Sequence, residues 1–212
     1  MKDELIAGVA DLDQPRVLSM IVKGLEEGED PRELLDACRA GMDLVGKRFE
    51  QGDYFLMELV VSGKIFGKAM EIIEPRLADT RAAGTLAKVV IGTPKGDLHN
   101  IGKNIVVTML RGAGFEVQDL GVDVPHERFA EAVETVQPQI VAMSALLTTT
   151  FQSMKSAISL VRATDAGKRA RVIIGGGPVN EHVREFTGAD AWGRDAMEGV
   201  DICKRWAAEV RS

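Results

Sequence analysis

The chain has 212 residues, 45% hydrophobic and 27% charged, with a net charge of -6. That length holds one large domain or two small ones, and the mildly acidic balance, free of basic tracts, argues against nucleic acid or anionic membrane as a partner. No apolar run reaches the roughly 18–20 residues of a membrane span, and Met1-Lys2-Asp3-Glu4 carries no signal-peptide pattern, so the expected location is the cytoplasm.

Residues 1 to about 84 show helical periodicity and almost no strand signal. Leu5, Ile6, Val9 and Leu12 fall on one helical face. Asp13 is placed to cap a second helix carrying Val17, Leu18, Ile21, Val22 and Leu25, which Gly28-Glu29 breaks. Asp30-Pro31 reads as an N-cap followed by proline at the first helical position, where its missing N–H costs nothing. Leu34, Leu35, Cys38, Met42, Val45 and Phe49 then form a long apolar stripe. Gly52 ends that helix, and Asp53 is expected to cap a fourth that carries Phe55, Leu56, Leu59, Val60, Ile65, Phe66, Ala69, Ile72 and Ile73. Four helices with short connections predict an antiparallel bundle over residues 1–84, with Pro75 and Gly84 near its end and a linker around Ala78–Leu86. Cys38 and Cys203 fit no metal or disulfide spacing and are expected as buried thiols in a reducing compartment.

From Leu86 the pattern changes. Val89-Val90-Ile91, Phe115-Glu116-Val117, Ile140-Val141-Ala142-Met143, Val172-Ile173-Ile174 and a weaker Ala189-Asp190-Ala191-Trp192 read as strands. Helices are expected over 100–112, 126–136, 151–166, 180–187 and 194–210. Strands alternating with helices predict an α/β domain over residues 85–212, a flavodoxin-like, doubly wound, five-stranded parallel sheet covered on both faces.

Ligands bind such sheets outside the carboxyl ends of the strands, at the switch in strand order. Three loops there carry chemistry: Gly96-Asp97-Leu98-His99-Asn100-Ile101-Gly102 after the first strand, Ser144-Ala145-Leu146-Leu147-Thr148-Thr149-Thr150 after the third, and Gly175-Gly176-Gly177-Pro178 after the fourth. In flavodoxin-like order these strands are neighbours, so an imidazole, a row of hydroxyls and an exposed glycine backbone line one crevice. Taken singly, each has a plain structural reading: a surface polar pair, a helix cap, and a turn or phosphate cradle. The Walker pattern is absent, because Asn104 follows Gly102-Lys103, and so is the dinucleotide fingerprint. His126, His182, Trp192 and Trp206 read as cap, solvated or packing residues.

Asp97-x-His99-x-x-Gly102, Ser144-x-Leu146 and Gly175-Gly176, at these spacings, resemble the D-x-H-x-x-G…S-x-L…G-G signature of cobalamin-binding domains. The bundle resembles the helical cap that precedes this domain in methionine synthase and in methanogen- and acetogen-type corrinoid proteins. The segment Gly46-Lys47-Arg48-Phe49-Glu50-Gln51-Gly52-Asp53-Tyr54-Phe55-Leu56-Met57-Glu58-Leu59 is similar to the family's cap segment, with Met57 where a proline is usual.

The resemblance implies a cobalamin or related corrinoid cofactor, carried as methylcobalamin. His99 would be the lower axial ligand to cobalt, Asp97 would accept its second ring N–H, and Thr150 would be the third member of that relay. Leu98, Asn100, Ile101 and Gly102 would border the cofactor. Ser144, Leu146 and Thr148 would line the slot for its nucleotide tail, with Gly175, Gly176, Gly177 and, extending that wall, Gly193 opposite. Phe49 and Leu56 would cover the methyl-bearing face, although both also sit on core-like stripes. The function implied is a methyl carrier between a substrate-specific methyltransferase and a second one using tetrahydrofolate or a thiol, with a reductive activator as a further partner. Partner access would make the Ala78–Leu86 linker a hinge. The alternatives are a cobalamin-dependent sensor, which usually adds a DNA-binding module, and a mutase small subunit, which lacks a preceding helical cap.

Overall fold

Asp13 and Asp30 lie within two residues of a proline, and each starts a helix. The Asp13 carboxylate accepts the Arg16 N–H at 3.2 Å and the Asp30 carboxylate accepts that of Arg32 at 2.9 Å. Each thus satisfies one of the donors a helix leaves open at its first turn. In a computed structural model that describes residues 1–77 and 85–211, the chain forms two compact units. The first comprises residues 1–77, with Gly112–Gly114 also assigned to it; the second holds the rest from Thr85 onward.

The first unit is built of α1 (Lys2–Ala10), α2 (Gln14–Glu26), α3 (Pro31–Glu50) and α4 (Leu56–Leu77). Their apolar stripes meet in a core containing Leu5, Val9, Val17, Ile21, Leu35, Cys38, Met42, Val45, Leu59, Ile65 and Ile73, all buried. Three local expectations change. Leu12 lies beyond α1, in a left-handed turn at φ 61°, because the chain reverses there toward the Asp13 cap. Asp53 does not cap α4: its N–H and that of Tyr54 both donate to Arg48 O, continuing the turn past Gly52, and the helix starts three residues later, with the Glu58 carboxylate accepting the Phe55 N–H at 2.8 Å. Val22 and Phe55 are exposed rather than core. Pro75 lies inside α4, and the expected linker falls outside the described residues except for Thr85 and Leu86.

The second unit alternates strand and helix: β1 (Lys88–Gly92), α5 (Ile101–Gly112), β2 (Glu116–Asp119), α6 (His126–Val136), β3 (Ile140–Ser144), α7 (Phe151–Ala163), α8 (Asp165–Arg169), β4 (Arg171–Gly175), α9 (Glu181–Thr187), β5 (Ala191–Gly193) and α10 (Ala196–Arg211). The five strands are parallel, in the order β2-β1-β3-β4-β5, which is the flavodoxin-like arrangement. β1, β3 and β4 are buried along nearly their whole length, as strands covered on both faces must be. The edge strand β2 alternates exposed and half-buried residues, and its charged ends discourage edge pairing. On one side of the sheet Val141, Met143, Val172 and Ile174 pack with Phe129 and Val133 of α6 and with Met154, Ile158 and Val161 of α7. The single helix expected over 151–166 is two, because Thr164 turns to an extended conformation and its hydroxyl accepts the Gly167 N–H at 2.9 Å, starting α8 afresh.

Candidate functional site

The register Gly92↔Met143, Ser144↔Gly175 and Gly175↔Gly193 brings the carboxyl ends of β1, β3, β4 and β5 to one edge. The loop leaving β1 is the most constrained segment there. The Thr93 N–H donates to Gly121 O at 3.0 Å and its hydroxyl to His99 O at 3.4 Å. Gly96 turns the chain at φ 93°, in the left-handed region that glycine enters without penalty.

Asp97 then points inward and has no exposed surface. Its Oδ1 accepts the His99 main-chain N–H at 3.0 Å and His99 Nδ1 at 2.7 Å; its Oδ2 accepts the N–H groups of Leu146 and Leu147 at 2.7 and 3.0 Å. Burial pushes its pKa up, but the hydrogen bonds from His99, Leu147 and Leu146 outweigh burial and hold it at about 2. An ionised carboxylate only accepts. Nδ1 therefore carries the proton, and Nε2 is the nitrogen with a free lone pair when the ring is neutral. The imidazole is 51% exposed although its partner is sealed. On the same two connections, after β1 and after β3, Leu98, Ile101, Leu146 and Leu147 leave large apolar side chains in solvent.

Thr150 is buried, and its hydroxyl donates to Leu147 O at 2.7 Å. It holds the turn that presents the two amides to Asp97, while the amides themselves occupy Oδ2. Gly176, at φ 126°, has no room for a side chain: a Cβ there would stand 1.9 Å from Ala145 O. The two loops after β3 and β4 therefore lie backbone against backbone, joined by the Ala145 N–H to Gly175 O at 3.0 Å. Leu146 Cδ1 lies 3.3 Å from where a Gly177 Cβ would be, and Gly193 O lies 3.5 Å from that of Gly175. Ser144 is half-buried at the end of β3, and Thr148 is exposed, as is Asn100, which immediately precedes α5. Phe49, half-buried, and Leu56, 50% exposed, belong to the first unit and flank the turn between α3 and α4; Phe55 beside them is 70% exposed.

Several residues escaped sequence reasoning. Lys103 is only 2% exposed; its Nζ donates to Asp119 Oδ2 at 2.6 Å and to Asn104 Oδ1 at 2.8 Å, stapling the first turn of α5 to the end of β2. A lysine one residue past the D-x-H-x-x-G block looks solvated in a sequence; only the length of its stem and the carboxylate at the end of the neighbouring strand show otherwise. In the first unit Arg48 Nη1 donates to Ala10 O at 2.6 Å and to Tyr54 Oη at 2.8 Å, and Tyr54 Oη donates to Ala10 O at 2.8 Å, so the turn carrying Phe55 and Leu56 is held rigidly. His126 is not a plain surface residue: its Nε2 pairs with Ser153 Oγ at 2.8 Å. Cys38 and Cys203 are buried, and burial pushes both thiols up to about 12.

Among the described residues no group of three His, Cys, Asp or Glu side chains is placed to hold a metal ion. A metal at His99 would have to bring its other ligands with it. The surroundings fit a macrocycle that does so. An imidazole with its far nitrogen fixed stands among exposed apolar side chains. Gly102, in the first turn of α5, has open space where its Cβ would be, so nothing in the protein requires glycine there.

Two family models match: B12 binding domain over residues 87–201, and a second B12 binding domain over residues 1–74. The trimethylamine corrinoid protein 1 of Methanosarcina acetivorans is 38% identical over 208 residues, covering 94% of this chain and 95% of that relative. A cobalamin-binding protein from Desulfitobacterium hafniense matches with a TM-score of 0.79 at 38% identity, over 97% of this chain and 98% of that one. The methanol:cobalamin methyltransferase complex MtaBC of Methanosarcina barkeri contains a chain that matches with a TM-score of 0.85 at 30% identity, over 98% of this chain and 81% of that one.

Proposed function

Because this chain belongs to the B12-binding family of corrinoid proteins, we propose that it carries a methyl group on cobalt from a substrate-specific methyltransferase to a second methyltransferase, which passes it to tetrahydrofolate or a thiol. The observation that carries the reading is the sealed Asp97 carboxylate holding a half-exposed His99 by Nδ1. When bound, the corrinoid supplies a cobalt centre able to take up and give up the methyl group.

His99 would hold the cobalt through Nε2, and Asp97, accepting from Nδ1, would fix the ring's tautomer and raise its basicity. With Nε2 free of metal, His99 would be able to hold a proton there, the Asp97 carboxylate balancing the charge. Thr150 supports this pair through the Leu147 carbonyl. Leu98, Ile101, Leu146 and Leu147, all exposed, would pack against the cofactor and exclude water from it. Gly102, Ser144, Leu146, Thr148, Gly175, Gly176, Gly177 and Gly193 would border the cofactor's nucleotide tail, and Asn100 would border the cofactor. Phe49 and Leu56 lie beside a turn that the Arg48 and Tyr54 hydrogen bonds fasten within the helical unit.

The relatives support a donor that is a methylated amine or alcohol, since they are named for trimethylamine and for methanol. A reductive activator completes the set of partners. Among the described residues no helix is long and apolar enough to cross a membrane, and with two buried thiols the cytoplasm is the proposed location. The test is to load the protein with methyl- and adenosyl-corrinoid and add a partner methyltransferase. The carrier reading expects methyl exchange with the methylated donor. Absence of exchange, together with stable adenosyl binding and light-driven spectral change, would favour the sensor instead.

A further inference from the structure

The loop that carries Asp97 and His99 is gripped from outside by one exposed residue. Asp123 lies in the connection between β2 and α6, at φ 52°, a conformation that few side chains adopt and that aspartate and asparagine tolerate best. From there its main-chain N–H donates to Asp97 O at 2.9 Å, and its Oδ1 accepts the Gly96 N–H at 2.7 Å. The two bonds hold the backbone on both sides of the Gly96–Asp97 link. The same connection is fastened to the start of the loop by the Val124 N–H to Thr93 O at 2.9 Å and by the bridge between Pro94 and Val124. The grip matters because Gly96 is the one position in the loop with no side chain to hold its conformation.

We propose that Asp123 is a positioning residue for His99. Its carboxylate fixes the backbone at Gly96, which sets where the Asp97 carboxylate stands and so where the imidazole presents Nε2. The proposal rests on His99 being the axial ligand. A role confined to the turn itself separates from this one by experiment. Asp123→Gly removes the carboxylate while leaving the backbone at ease in its conformation. Asp123→Asn keeps an acceptor oxygen.

Each variant, and the unaltered protein, is prepared with isotope-labelled histidine and loaded with corrinoid in the cobalt(II) state. Electron paramagnetic resonance then reads the nitrogen splitting contributed by a histidine ligand, and the melting temperature of the unloaded protein serves as control. Asp123→Gly is expected to lower the ratio of imidazole-bound to imidazole-free cobalt about tenfold, the size of one lost charge-assisted hydrogen bond. Its melting temperature should shift by no more than about 4 °C. Asp123→Asn should retain the splitting. Splitting in Asp123→Gly equal to that of the unaltered protein overturns the positioning role alone, as does equal loss in both variants. If the unaltered protein shows no histidine splitting, the ligand assignment falls and this proposal falls with it.

Discussion

Asp97 accepts four hydrogen bonds without exposing any surface, and this makes a residue-scale prediction that needs no cofactor. Its pKa is held at about 2, against an ordinary value of 3.8. A carboxylate whose pKa is depressed in the folded state contributes stability that is complete above the unfolded pKa and is lost as pH falls through the folded one. Asp97→Asn, which would turn an amide N–H toward the Leu146 and Leu147 donors, should lower the unfolding free energy of the unloaded protein by about 2 kcal/mol near neutrality. Denaturant titrations should show that difference shrinking between about pH 4 and pH 2; a difference independent of pH would mean the carboxylate's charge is not what these bonds hold. A second residue-scale prediction concerns Gly176. Gly176→Ala places a methyl on the Ala145 carbonyl at a positive φ, and should cost roughly 3 kcal/mol or more, read as a lowered melting temperature. At this scale the motif residues were legible because Asp, His and Gly recur at fixed spacing around one loop. The His99 ring N–H on Asp97 was expected and is found, but the main-chain partners of Asp97 were not legible: amides carry no sequence signature, and the Thr150 hydroxyl turns to Leu147 O instead of reaching the carboxylate.

At the scale of elements, the sheet order followed from local patterns. Each short β-branched run followed by a helix forces a parallel neighbour through a right-handed crossover, and the order β2-β1-β3-β4-β5 places the loops after β1, β3 and β4 side by side. What local pattern misses is the staple between elements. Lys103 joins α5 to β2 through Asp119, which is 27% exposed and also accepts the Gly121 N–H at 2.9 Å. Lys103→Met alone leaves that carboxylate without its cation and should cost about 2 kcal/mol, less than a fully buried pair because water still reaches Asp119. The double variant Lys103→Met/Asp119→Leu should recover a good part of the loss, because replacing both charges removes the desolvation penalty. Equal destabilisation in single and double variants would show that the pair acts through packing of the lysine stem. The break between α7 and α8 was hidden for a related reason: Thr164 reads as a helix interior residue until its hydroxyl is seen to start a new helix.

Over the whole molecule, family models match both the helical stretch and the sheet stretch, and the trimethylamine corrinoid protein aligns with 94% of this chain. The division into a helical stretch and an α/β stretch was readable because hydrophobic periodicity changes near Leu86. The exposure of Phe55 was not, because an apolar stripe looks the same whether it faces a core or solvent. A protein that binds a corrinoid in its folded state alone must gain stability with ligand concentration, by about 2.7 kcal/mol at a hundredfold excess over the dissociation constant. The melting temperature should therefore rise with added corrinoid, and rise less in His99→Ala. The most direct measurement is the visible absorption spectrum of the corrinoid-loaded protein with and without His99→Ala. With His99 as ligand the loaded protein gives an imidazole-bound spectrum that the substitution abolishes; an unchanged spectrum in the variant would contradict that assignment.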